Sequence, residues 1–156
     1  MNPTLRTTLA TTGAALRRRA WFPLAVFATH EFCAHAIDAY RRWPAIDIPL
    51  HFLGGFAIAF FAAGALDAFA ARRLVRDPDP LLRLLLLFAG TCTAALFWEF
   101  AEWIADRFFG TNCQMGDLGD TLLDQCMGMA GGLVFVLPQL PAALRFYFRP
   151  AQEPSP

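Results

Sequence analysis

Lysine is absent: all thirteen basic residues of this 156-residue chain are arginines, set against thirteen acids for a formal net charge of zero. Without a basic excess the chain lacks the electrostatic footprint of a nucleic-acid binder, and no nucleic-acid partner is expected. Arginine in place of lysine reads as the bias of a GC-rich genome. Charged residues amount to only 17%, below the roughly 25% of an average soluble domain, which excludes a disordered, solvating chain. The four cysteines, Cys33, Cys92, Cys113 and Cys126, form no CxxC pair, which excludes a zinc-finger pattern and a disulfide-stapled secreted scaffold. No HExxH or paired ExxH motif, P-loop, dinucleotide fingerprint or nucleophile elbow is present. The usual signatures of zinc proteases, di-iron bundles, nucleotide binders and acyl hydrolases are therefore missing.

The chain does have apolar length. Hydrophobic residues reach 56%, with sixteen Phe and four Trp against two Tyr, and the mean hydropathy is +0.41. A single soluble domain does not need so much for its core, so the chain reads as an integral membrane protein with the lipid bilayer as its first partner. A helix needs about 20 residues to cross the hydrocarbon core, and four segments approach that length: about 21–40, 47–71, 81–106 and 120–137. Trp43-Pro44 and the Asp77-Pro78-Asp79-Pro80 run separate them, and Pro138 and Pro141 end the last. The expected fold is an all-α four-helix transmembrane bundle over residues 21–148, with an amphipathic N-terminal arm at 1–20 and a disordered tail at 149–156. Arg17, Arg18 and Arg19 before an apolar run also have the look of a secretory or twin-arginine signal. His30, Glu31 and His35 interrupt that run, however, and no small-residue cleavage site follows.

Arginine placement predicts the orientation. Under four-helix topology Arg6, Arg17, Arg18, Arg19, Arg72, Arg73, Arg76, Arg83, Arg145 and Arg149 share one side, and Arg41, Arg42 and Arg107 the other. The rule puts both termini in the cytoplasm of a bacterial inner membrane and the two remaining loops outside.

Ionisable residues within membrane segments are costly, and their default meaning is a functional site facing the bundle interior. Each of the four segments supplies some here, at one-face helical spacings: Glu31, His35 and Asp38; Asp47 and His51; Glu99, Glu102 and Asp106; Asp120 and Asp124. With Asp117, nine of the thirteen acids and all three histidines fall in the outer half. So many carboxylates in low dielectric cannot all stay ionised without cations, so a bound metal, retained protons or a water-filled vestibule is implied. Mixed nitrogen and oxygen ligation suits a divalent zinc, iron or manganese ion. The expected ligands are His35, His51, Glu99 and Glu102, with Glu31, Asp120 and Asp124 as further ligands or catalytic bases. The plainer alternative, in which the acids hydrogen-bond across helices or are solvated at helix ends, applies best to Asp38, Asp47, Asp106 and Asp117. Gly54, Gly55 and the Gly128/Gly132 GxxxG read as packing devices. Cys113, Met115, Cys126, Met127 and Met129 read as gap-fillers rather than copper(I) ligands.

The run from Phe97 through Trp98, Glu99, Glu102 and Trp103 to Asp106, then Gly116 to Asp124, together with His51, Gly54 and Gly55, resembles the YjdF-like family of small bacterial inner-membrane proteins over roughly residues 45–135. An acid pair in one helix with aspartates leading into a glycine-bearing helix is also distantly similar to VanZ-like proteins, though no Arg stands beside these aspartates. These resemblances imply a membrane topology and a choice of residues; the reaction has to come from the site. The expected function is metal-assisted hydrolysis or transfer on a lipid-linked or envelope substrate. Two alternatives are kept. The first is a cation or proton transporter or channel, for which a homodimer is an option because four short helices are few for alternating access; against it, Asp67 is the sole acid within the cytoplasmic half. A structural membrane subunit would use the glycine surfaces alone.

Overall fold

The computed structural model describes residues 3–111, 113–114 and 117–148. The tail expected to be disordered, 149–156, lies outside the described residues, as does Met115. The described residues form helices joined by short turns and loops: α1 (Pro3–Arg19), α2 (Trp21–Glu31), a π turn (Phe32–Ala36), α3 (Ala39–Arg42), a 3-10 turn (Pro44–Ile46), α4 (Asp47–Ala71), α5 (Pro80–Phe109), α6 (Leu118–Val136), a second 3-10 turn (Leu137–Gln139) and α7 (Leu140–Tyr147). No strand occurs among the described residues.

Local chemistry sets these boundaries. Asp79 caps α5, accepting from the amides of Leu81 at 3.1 Å and Leu82 at 3.4 Å, and Pro80 takes the first turn, where its missing N–H is not needed. The helix ends at Gly110, whose φ of 70° is the left-handed cap that a side chain disfavours. Asp117 caps α6 through the amide of Gly119 at 2.8 Å. Pro138 and Pro141 tighten the end of α6 into a 3-10 turn, and the chain continues as α7.

Three stretches are long and apolar enough to cross a membrane: Asp47–Ala71, Pro80–Phe109 and Leu118–Tyr147. The segment expected as the first crossing, 21–40, is broken. Its α-helix stops at Glu31, and after the π turn Asp38 adopts a left-handed φ of 50° with its carboxylate on Arg41 at 2.5 Å, a conformation aspartate tolerates better than most residues. Within the arm expected at 1–20 the described residues form α1, joined almost without interruption to α2 through the amide of Ala20 on the Leu16 carbonyl. It runs along α4, with Arg72 donating to the Thr11 carbonyl at 3.0 Å and the Arg19 guanidinium over the Phe60 ring.

The burial pattern is inverted relative to a water-soluble protein. Leu85, Phe97 and Phe100 are exposed, while Thr91, Glu99, Glu102 and Asp124 are buried. Large apolar side chains outside and polar ones inside suit hydrocarbon as the surrounding solvent. The interior is built from small residues on α4, among them Gly55, Ala57, Ala59, Ala63 and Gly64, so α6 and α5 approach closely. α4 and α6 share the most extensive interface.

Candidate metal centre

Glycine contact between α4 and α6 sets the geometry of the site. A Cβ on Gly55 would run into the Gly128 carbonyl, and one on Gly131 into the Phe52 carbonyl. Backbones therefore meet where side chains would otherwise hold them apart. His51 lies one turn before Gly55, and Asp124 one turn before Gly128, so the same approach brings His51 Nε2 to 3.8 Å from Asp124 Oδ1. Asp47 Oδ1 is 3.2 Å from that nitrogen, and Glu99 Oε1 is 3.9 Å from His51 Nδ1. Two sets of three possible ligand atoms result, each within 4.8 Å of one another: Asp47, His51 and Asp124; and His51, Glu99 and Glu102. They share the imidazole.

The four carboxylates are almost inaccessible, with Asp124 3%, Glu99 5%, Asp47 7% and Glu102 8% exposed, a level at which acids are normally paired. None pairs with arginine: the arginine pairs among the described residues are Arg41 with Asp38 and Arg83 with Asp67. Glu99 Oε1 and Asp120 Oδ2 are buried without a hydrogen-bond partner, and Asp47 Oδ1 and His51 Nε2, also buried, face each other at 3.2 Å without an aligned hydrogen bond. Unpaired buried polar atoms cost about 1–3 kcal/mol each, and more when charged. A cation between them would satisfy several at once.

Two neighbours hold the acids in place. Trp98 donates its indole N–H to Glu102 Oε1 at 2.8 Å, and Gln114, from the loop after α5, reaches the Glu99 carbonyl at 3.1 Å and its Oε2 at 3.5 Å. Asp106 orders that loop, accepting from the Thr111 hydroxyl at 2.5 Å and the amides of Cys113 at 2.7 Å and Gln114 at 3.0 Å. Beside Trp98, His30 Nδ1 and the Tyr40 hydroxyl share a hydrogen bond of 2.6 Å.

Of the residues expected from sequence, His51, Glu99, Glu102 and Asp124 come together. Asp120 stands one turn before Asp124 with a buried oxygen, outside both ligand sets. Glu31 is half-buried on α2 and belongs to neither set. His35 lies in the π turn, and its side chain is outside the described residues. Asp47 is the first-turn acid of α4, as a helix-start reading has it, but it is buried rather than solvated. Cys33, Ala39 and Leu50, with Tyr40 and Ile46, pack over the first turn of α4 and exclude water there. Asp38, Asp106 and Asp117 are a surface pair, a loop organiser and a helix cap. Trp98 and Gln114 are partners that sequence reasoning misses; the i, i+4 spacing of Trp98 to Glu102 is the available signal for the first, and nothing local marks the second. Cys113 and Cys126 are exposed.

A family model described as "Predicted membrane protein (DUF2238)" matches residues 9–140. This chain belongs to that family of membrane proteins. The match spans α2 to α6 and the entire candidate centre, and it agrees with the YjdF-like resemblance. No curated protein and no solved structure matches the chain, so the likeness to VanZ-like proteins gains no support.

Proposed function

We propose that the cluster around His51 is a divalent zinc, iron or manganese centre in the extracytoplasmic half of a four-helix bundle. We propose further that the protein is a metal-dependent hydrolase or transferase acting on a lipid-linked or envelope substrate. The observation that carries this reading is the convergence of four buried carboxylates, Asp47, Glu99, Glu102 and Asp124, from α4, α5 and α6 on the one imidazole of His51. His51 would serve as the shared imidazole ligand, with Asp47 and Asp124 or Glu99 and Glu102 completing the set, and His35 as a further ligand from the π turn. A divalent ion supplies a water of lowered pKa and polarises the bond to be broken. Asp120, one turn before Asp124, and Glu31, at the end of α2, are the candidates for the proton-accepting base. The fourth crossing in this reading is α2 with the π turn, and the arginine asymmetry supports cytoplasmic termini in a bacterial inner membrane.

Transport fits less well. Ala63, Leu84, Leu87 and Val136 form an apolar cluster toward the other end, and Asp67 is half-exposed there and held by Arg83 at 2.7 Å. Among the described residues no polar path continues through the bundle.

Elemental analysis of the detergent-purified protein tests the metal. The wild type is expected to hold a stoichiometric ion that His51→Ala and Glu102→Ala lose and Asp38→Ala keeps. Equal metal content in all four, or none in the wild type after repletion, would overturn the reading.

A further inference from the structure

A cavity of about 400 Å³ lies between α2, α4 and α5, with Phe27, Trp98, Ile58 and Phe61 among its walls. That volume falls in the range of about 300–1,000 Å³ that accommodates a small ligand. Its polar side chains are few and mostly engaged: Thr91 bonds the Leu87 carbonyl, Trp98 bonds Glu102 and His30 bonds Tyr40. His51 lines one end, with its Nε2 turned away to Asp47 at 3.2 Å and Asp124 at 3.8 Å, so that end abuts the carboxylate cluster. The cavity is thus carbon-lined along its length and polar at one end, which is the profile of an amphiphile.

Its dimensions narrow the occupant. From His51 to Phe61 the wall runs ten residues along α4, roughly 15 Å at the helical rise and about half of a bilayer's ~30 Å core. Spread over that length, about 400 Å³ leaves a groove narrower than a helix of about 10–12 Å and suited to a hydrocarbon chain in contact with its walls. Gly54 deepens the wall: a Cβ there would meet nothing within 4 Å. Two of the flanking helices, α4 and α5, are long and apolar enough to span a membrane, so what lies alongside is lipid.

We infer that this groove seats one hydrocarbon chain of an outer-leaflet lipid, with the lipid's polar head against the His51 cluster. The assignment of the head rests on the metal-centre reading; the seating of the chain does not.

Photo-crosslinking tests it. The full-length protein is placed in vesicles of phosphatidylethanolamine and phosphatidylglycerol containing a trace of phosphatidylglycerol with a mid-chain diazirine. It is then irradiated, and adducts are mapped by peptide mass. Adducts are expected on Ile58, Phe61 and Phe27. Gly54→Leu should reduce them roughly tenfold, because its side chain displaces the methylenes whose burial carries such a factor, while metal content stays at the wild-type level. Ile58→Trp provides a second occlusion, one turn further along the same wall. Equal yields in the wild type and both occluded variants would overturn the inference. So would adducts confined to the outward Phe97 and Phe100. His51→Ala separates the two readings: metal lost with chain adducts retained supports the groove independently, and adducts in a protein that never holds metal would defeat the metal centre alone.

Discussion

Neighbouring glycines on α4 should respond to alanine in opposite directions. At Gly55 the new Cβ would lie 2.7 Å from the Gly128 carbonyl carbon and 2.9 Å from its Cα, and closer still to the oxygen. Ordinary contact between carbon atoms is about 3.5–4.0 Å, so α4 and α6 must part by roughly 1 Å. Backbone cannot rotate away as a side chain can. Overpacking of this kind costs about 1–3 kcal/mol, and the alanine returns up to about 1 kcal/mol in helix propensity, for a net loss of about 1–2 kcal/mol. At Gly54 nothing opposes the Cβ, so Gly54→Ala should gain up to about 1 kcal/mol. The two variants should therefore differ by about 2 kcal/mol in unfolding by SDS titration, followed by circular dichroism in detergent micelles. Gly55→Ala should also weaken metal binding, since the same separation lengthens the 3.8 Å His51 to Asp124 approach. If Gly55→Ala unfolds at the same SDS fraction as Gly54→Ala, or later, the close α4 to α6 contact is not what holds the site.

Three further outcomes are expected. Trp98→Phe removes the N–H on Glu102 while keeping an aromatic wall, and should weaken metal affinity about 10–100-fold, as loss of a supporting hydrogen bond commonly does; chelator competition measures it, and an unchanged affinity would remove Trp98 from the site. Asp106→Ala deletes three hydrogen bonds that shape the loop after α5; it should destabilise by about 1–3 kcal/mol and speed maleimide labelling of Cys113, with unchanged labelling counting against that role. In right-side-out vesicles, an impermeant maleimide should label Cys113, which is exposed in that loop, and should leave a cysteine introduced at Val75 unmodified; the reverse pattern would invert the topology.

Much of the site is legible in the sequence because helical spacing reports which residues share a face. The spacing alone assigns Glu99 with Glu102, and Asp120 with Asp124, to common faces, and Pro44, Pro80 and Pro138 bound the helices to within a few residues. Spacing does not report how far a helix end is covered. Asp47 therefore reads as a solvated first-turn acid, although the 3-10 turn and α3 pack over it and bury it. Nor does hydropathy reveal a left-handed residue, so 21–40 reads as one span although Asp38 breaks it.

The residues alone determine that this protein is a helical membrane chain whose apolar helices carry acids and histidines at one-face spacings, because apolar run length and residue spacing are properties of the sequence. The tertiary structure decided which of those groups meet. Gly55 and Gly131 face backbone, Gly132 faces Thr91, and Gly54 faces open space, although all four are the same residue in apolar helices. Their differing neighbours come from the rotation and crossing of whole helices, which depend on every contact along the interface. That packing turned His51 toward four carboxylates and left a narrow groove beside it.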